Sequence, residues 1–166
     1  MELTSFSDYC LRVLIFVAAH PGQRVTIGRI AQSYGISGNH LVKVAHFLGK
    51  AGLLASERGR NGGIRLARPA ATICVADVVR LTERTGGPVA CFDATAALCR
   101  IAPVCRLRGM LGDAVTAFYA VLERYTLADL VADPAPLRAA LLTPPGIASP
   151  LRGSDARARP AQVRRP

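Results

Sequence analysis

The chain has 166 residues, 51% of them hydrophobic, with a formal net charge of +10 and a pI near 10.3. That length allows one compact domain with an accessory element and excludes two large ones. The charge favours a polyanionic partner, nucleic acid or an anionic membrane surface. The longest apolar run, residues 13–19, falls far short of the roughly 20 residues that span a bilayer. Glu2 and Asp8 stand where a signal peptide would be cationic, so the chain reads as cytoplasmic and non-membrane. Its five cysteines are odd in number, and a reducing compartment makes ligands or buried thiols the expectation rather than disulfides.

A first helix is expected over residues 6–19, where Leu11, Leu14, Ile15 and Ala18 recur at helical spacing. Ser5 and Asp8 have the spacing of a capping box, and His20-Pro21-Gly22 ends the helix. A second helix follows Thr26, with Ile27, Ile30, Ala31 and Tyr34 on one face, and stops at Gly35. A third begins with Ser37 as its cap, buries Leu41, Val44, Ala45 and Leu48, and closes at Gly52. Strands are expected at residues 53–57 and 64–67, joined by Arg58-Gly59-Arg60-Asn61-Gly62-Gly63, whose Asn-Gly step is a strong turn signal. Another helix follows Val75 and ends near Arg84.

Two short helices joined by a glycine turn and followed by a glycine-tipped basic hairpin make a winged helix-turn-helix. The fold class is therefore mainly α with a small β-hairpin, to which a long dimerisation helix is added. The third helix would enter the major groove, with Ser37, Asn39, His40 and Lys43 toward base edges and phosphates. Arg58 and Arg60 would meet phosphate or minor groove from the wing, where Asn61 is also counted among the DNA-binding residues and Gly59, Gly62 and Gly63 let the backbone come close. The competing reading is a solvated basic hairpin beside an ordinary helical pair.

Cys91, Cys99 and Cys105 come next, spaced C-x7-C-x5-C, in a stretch that reads as a loop. Three thiolates can hold an iron–sulfur cluster if one more ligand arrives from elsewhere. They can also hold zinc with one Asp or His, although the intervals are loose for a zinc knuckle. They can also be buried thiols without a ligand. Cys10 and Cys74 lie among apolar neighbours and are expected to pack in the core. No paired carboxylates, Ser-His-Asp set or phosphate loop stands out, so no enzymatic activity is expected. The loop leads into a long helix with Leu107, Leu111, Ala114, Phe118, Leu122 and Tyr125 at steps of three and four, a stripe suited to a second helix. Domain bounds are thus a DNA-binding unit at 1–84, a cysteine loop at 85–106, a dimerisation helix at 103–131 and a disordered basic tail at 132–166.

The opening Leu3-Thr4-Ser5-Phe6-Ser7-Asp8-Tyr9, the third-helix start Gly38-Asn39-His40-Leu41-Val42-Lys43, the wing, the cysteine triad and Tyr125-Thr126-Leu127-Ala128-Asp129-Leu130 closely resemble the NsrR repressors. These are nitric-oxide-sensing members of a winged-helix regulator family that also contains the iron–sulfur assembly regulator IscR. The resemblance covers residues 1–131. It implies a homodimer on a pseudo-palindromic DNA operator and repression of nitric-oxide-detoxification genes. It also implies a cluster, [4Fe-4S] or [2Fe-2S], on Cys91, Cys99, Cys105 and Asp8, with Asp8 coming from the partner subunit. Nitric oxide would be the signal that releases the DNA. The alternative is a winged-helix regulator whose cysteines respond to redox state or hold zinc.

Overall fold

Helix α1, Ser5–Ala18, is the hub of the core, burying Cys10, Val13, Leu14, Phe16 and Val17 against the later elements. The computed structural model describes residues 3–57, 59, 62–83, 92 and 99–142. Each large apolar side chain buried along α1 contributes roughly 1.5–3 kcal/mol relative to exposure. The expected Ser5–Asp8 capping box does not form. Thr4 caps α1 instead, its side chain accepting the Ser7 N–H at 3.2 Å. Asp8 then lies one turn in, where it pairs with Arg12 at 2.9 Å. At the other end His20 is buried and stacks on Phe16, its Nδ1 2.8 Å from the Phe16 carbonyl. Cys10 is fully buried, and burial pushes its thiol up to about 12 from 9.0. A raised folded value means that its stabilising contribution is complete below pH 9.0 and declines as pH rises toward 12.

Helix α2, Ile27–Tyr34, is capped by Thr26 and stopped by Gly35 at φ 65°, a left-handed turn that suits glycine. Ser37 then opens α3, Gly38–Lys50, although its side chain makes no capping hydrogen bond. Leu41, Val44 and Leu48 face α1 and α2, which fixes the helix pair. Phe6 meets Phe47 edge-on at 5.1 Å and locks the start of α1 to α3.

Strands β1, Leu54–Glu57, and β2, Gly63–Leu66, pair antiparallel with Leu54 opposite Leu66 and Glu57 opposite Gly63. Val25 adds a third rung. Its N–H donates to the Ile64 carbonyl at 3.0 Å, and its carbonyl accepts from the Ile64 N–H at 2.8 Å. Because a Cβ on Gly63 would sit 2.9 Å from the Val25 carbonyl oxygen, only glycine fits this seam without backbone movement. Glu57 adds an ionic tie at the same place, meeting Arg24 at 2.6 Å and Arg65 at 3.2 Å. The hairpin is thus fixed to the chain segment leading into α2.

Helix α4, Val75–Thr82, packs on α1. Glu83 directly after it accepts hydrogen bonds from the Thr4 backbone at 2.8 Å and the Thr4 hydroxyl at 3.2 Å. Burial would raise this carboxyl, but hydrogen bonds from Ser7 and Thr4 outweigh it and hold it below its ordinary value. The chain therefore leaves α4 beside the N-terminus of α1.

Helix α5, Arg106–Leu122, is shorter than the expected dimerisation helix at 103–131. The chain breaks at residues 123–126 because Thr126 starts a new helix, α6, Leu127–Leu130, through a reciprocal capping box with Asp129. Leu127 there is buried, and Cys74 bridges Thr126 in antiparallel fashion. A second correction concerns the tail. Its first part is helical: α7 spans Pro134–Leu142 and buries Leu141, and the Ala135 N–H donates to Asp133 Oδ1 at 3.3 Å. A carboxylate before the first turn and proline at its start are both helix-opening features. The rest of the expected tail, 143–166, lies outside the described residues.

Candidate nucleic-acid interface and cysteine site

Burial of Leu41, Val44 and Leu48 turns the opposite side of α3 to solvent. Ser37, Asn39, His40 and Lys43 are all exposed there, as are Val42, His46 and Lys50. Asn39, Lys43, His46 and Lys50 recur at steps of three and four, so they form one stripe along the helix. Val42 stands beside it at 56% exposure, an apolar side chain turned to solvent. On a reading helix such a group suits a thymine methyl. Val42 was not among the residues expected at the interface, yet its place three residues after Asn39 was the available signal. His40 is steadied by Tyr9 of α1, whose ring stacks on it at 6.2 Å and 24°.

At the wing the Gly62 N–H closes a turn onto the Gly59 carbonyl at 2.8 Å, with Gly59 at φ 115°. Arg58, Arg60 and Asn61 lie outside the described residues. Arg24 and Arg65, which the sequence did not single out, add guanidinium groups at the wing's root, each half exposed and each oriented by Glu57. An open cleft of about 600 Å³ lies at this root, lined by Arg24, Arg65, Arg68 and His20 among others. Its one carboxylate, Glu57, is held by two arginines, so the cleft offers cationic recognition and no acid–base pair.

Asn39 is expected to read a base and Lys43 a phosphate. Asn39→Ala should relax discrimination at particular operator positions, at about 1–3 kcal/mol. Lys43→Ala should weaken binding to all sequences alike and flatten the dependence of log affinity on log salt by about 0.9 per subunit. Titration against operator variants at several salt concentrations separates the two. Unchanged base preference in the Asn39 variant removes it from the reading surface.

The cysteines divide by environment. Cys10 is enclosed, and Cys74 is half-buried with its thiol directed at the Glu123 carbonyl, 3.9 Å away. Cys99 is exposed, and half-buried Cys105 occupies the N-cap of α5 without a side-chain capping bond. Cys105 thereby stands at the positive end of a 17-residue helix. Arg100, Arg106 and Arg108, near it in sequence, are exposed. Cys91 lies outside the described residues. Its neighbour Phe92 packs against α5, its ring 3.8 Å from where a Cβ on Gly112 would be. Asp8 is half exposed near the start of α1. Among the described residues no three His, Cys, Asp or Glu side chains converge as a metal site, so one protomer does not bring Asp8 to Cys99 and Cys105.

Helix α5 buries none of its residues fully. Leu111, Phe118 and Leu122 of the expected stripe are half covered, and the helix packs on α4. A second apolar row, Leu107, Met110, Ala114, Ala117 and Val121, is exposed. Its alternating steps of three and four are the a/d spacing of a helix-pairing seam, and the two alanines permit close approach.

Among the described residues no helix is long and apolar enough to cross a membrane. Residues 3–133 match the family model described as Rrf2, iron-dependent transcriptional regulator. The chain is 51% identical over 132 residues to the HTH-type transcriptional regulator NsrR of Bacillus subtilis, covering 79% of this chain and 90% of that protein. Among solved structures, IscR of T. potens superposes with a TM-score of 0.65 at 28% identity, over 80% of this chain and 88% of that one. CymR of B. subtilis, described as the global cysteine regulator, superposes with a TM-score of 0.62 at 28% identity, over 80% of this chain and 97% of that one.

Proposed function

Because the chain belongs to the Rrf2 family of transcriptional regulators, we propose that it is a DNA-binding repressor whose hold on its operator depends on an iron–sulfur cluster and is released by nitric oxide. The DNA-binding regulatory role comes with the family, and the exposed stripe on α3 is where it would be exercised. Helix α1 is the observation that carries the gating. It bears Asp8 near its start and grips the reading helix through Phe6 on Phe47 and Tyr9 on His40. A ligand at Asp8 is thereby one residue from the side chain that steadies the start of α3.

The donors suit the group. Soft thiolates select iron–sulfur clusters, and Cys105 stands at a helix N-terminus with exposed arginines at positions 100, 106 and 108. Cys91, Cys99 and Cys105 would hold the cluster with Asp8 of a second subunit. When bound, the cluster supplies iron that nitric oxide can attack, and a carboxylate oxygen is a weaker ligand than a thiolate. The exposed row on α5 would pair two subunits as a homodimer. On this reading residues 1–84 bind DNA, 85–106 hold the cluster and α5 joins the dimer.

Protein purified without oxygen should contain iron and acid-labile sulfide and bind operator DNA, and nitric oxide should release it. A colourless protein that carries zinc and binds DNA regardless of nitric oxide would favour a redox or zinc regulator.

Asp8 offers a sharper test, since capping falls to Thr4. Its only described polar partner is Arg12, an exposed i,i+4 pair worth under about 1 kcal/mol. Asp8→Ala should therefore leave the melting temperature nearly unchanged while altering the visible spectrum and the rate of reaction with nitric oxide. Asp8→Cys should keep a cluster with shifted absorbance and slower reaction. An Asp8→Ala protein with unchanged spectrum and kinetics would place the fourth ligand elsewhere.

A further inference from the structure

The cleft at the wing's root plays no part in the proposed gating. It holds about 600 Å³, within the roughly 300–1,000 Å³ of small-molecule sites. Val17, Ala18 and Pro69 line it with apolar surface, and Arg24, Arg65 and Arg68 bring three guanidinium groups against the single carboxylate of Glu57. Glu57 holds Arg24 at 2.6 Å and Arg65 at 3.2 Å. Arg68 has no hydrogen-bonding or ionic partner among the described residues. The carbonyls that end α1 would repel an anion, but Arg138 donates from Nε to the Ala19 carbonyl and blunts that effect.

The buried polar group of the cleft is His20. It is 5% exposed, stacks on Phe16 with ring centroids 4.6 Å apart and donates from Nδ1 to the Phe16 carbonyl at 2.8 Å. Nε2 is left without a partner among the described residues, in a ring that lines a cationic cleft. A phosphate monoester satisfies this ring in either of its states. A neutral ring accepts at Nε2 from the P–OH of the monoanion, and a charged ring donates from Nε2 to the dianion. A carboxylate has no such hydroxyl and suits only the charged ring. The guanidinium fork matches phosphate oxygens as well.

We propose that the wing-root cleft is a binding site for a small phosphate monoester, its phosphate on Arg24, Arg65, Arg68 and His20 and its organic body against Val17, Ala18 and Pro69. Glu57 is the internal competitor, because the phosphate must share or take over the two arginines that this carboxylate holds. The site is independent of the cluster and of the DNA-reading helix.

The probes are phenyl phosphate, inorganic phosphate and benzoate, each titrated at constant ionic strength into the full-length protein purified without oxygen. The chain has three histidines, so isotope-labelled histidine reports separately on His20 in the cleft and on His40 and His46 of α3. Phenyl phosphate should shift the ring signals of His20 and leave those of His40 and His46 in place. It should bind at least about tenfold more tightly than inorganic phosphate through the ring it buries, and more tightly than benzoate. Arg68→Gln breaks no described ion pair, so it should weaken phenyl phosphate about tenfold or more with the melting temperature unchanged. Glu57→Gln should tighten binding, whereas Asp77→Asn, an equal change of charge on α4, should not. Shifts at His40 or His46 in place of His20 would put the anion on the reading helix and overturn the site. Equal affinity for benzoate would overturn the phosphate assignment. Absence of saturable phenyl phosphate binding would overturn the proposal outright. If Arg68→Gln then flattened the salt dependence of operator binding by about 0.9 per subunit, the arginines would serve DNA phosphate instead.

Discussion

Cys99→Ala and Cys105→Ala should each yield a protein that folds normally, loses its visible absorbance and iron, and binds the operator at least about tenfold more weakly. Neither thiol belongs to the buried core: Cys99 is exposed and Cys105 caps α5 through backbone position alone. Their removal should shift the melting temperature of the apo-protein little, since substitutions away from the core usually fall within about 0.5 kcal/mol. Cys91→Ala should behave as they do. Cys10→Ala should do the opposite. Cys10 is enclosed by α1's neighbours, so its loss costs stability through a small cavity but leaves iron content and operator affinity intact. Cys74→Ala should also retain iron, because its thiol is directed at the Glu123 carbonyl. Iron assay, absorbance and operator titration on the five variants separate the two classes. Wild-type iron in the Cys99→Ala protein would show that the ligand assignment is wrong.

The helix-turn-helix was legible in the sequence because its signals are local and agree with one another. Thr26, Gly35 and Ser37 bracket helices whose apolar spacing already points inward, and Asn61-Gly62 marks a turn between two short strands. The seam at Val25 was not legible, since a single residue pairing with Ile64 leaves no periodic trace. Gly63 looked like turn composition, although its role is to let two backbones meet. The end of α5 was misjudged for a different reason. Leu122 and Tyr125 continue the apolar stripe, and periodicity cannot see that Thr126 and Asp129 reset the chain with a cap of their own. That Thr-x-x-Asp spacing was readable and outranks the stripe. Helix α7 was hidden by its Pro- and Ala-rich composition, with Asp133-Pro134 the overlooked opening signal. As for the site, the exposed character of Asn39, His40 and Lys43 followed from the burial of Leu41 and Val44. The proposed meeting of Asp8 with the cysteines would be a property of two chains, and one chain's spacing cannot contain it.

The second large effect should come from charging the free seam of α5. In the protomer Leu107 is 58% exposed and Met110 67%, so Leu107→Asp with Met110→Asp removes no core packing. Its first consequence should be a monomer in sedimentation, with helical content preserved. Facing carboxylates across a helix pair would bury charge without partners, which costs several kcal/mol and outweighs any seam of this length. The second consequence concerns DNA. A symmetric dimer engages two half-sites about one helical turn apart, and the second contact is made at high effective concentration. Such linkage commonly gains about 10²–10⁴ in affinity, so the monomeric variant should bind the operator weaker by that factor while a single half-site is bound as before. The third concerns the cluster. If Asp8 reaches it from the second subunit, dissociation removes that ligand too, and the double variant should share the altered spectrum of Asp8→Ala. A monomer that retains the parent spectrum would mean the fourth ligand comes from its own chain. A variant that still sediments as a dimer would move the subunit contact away from the row formed by Leu107, Met110, Ala114, Ala117 and Val121.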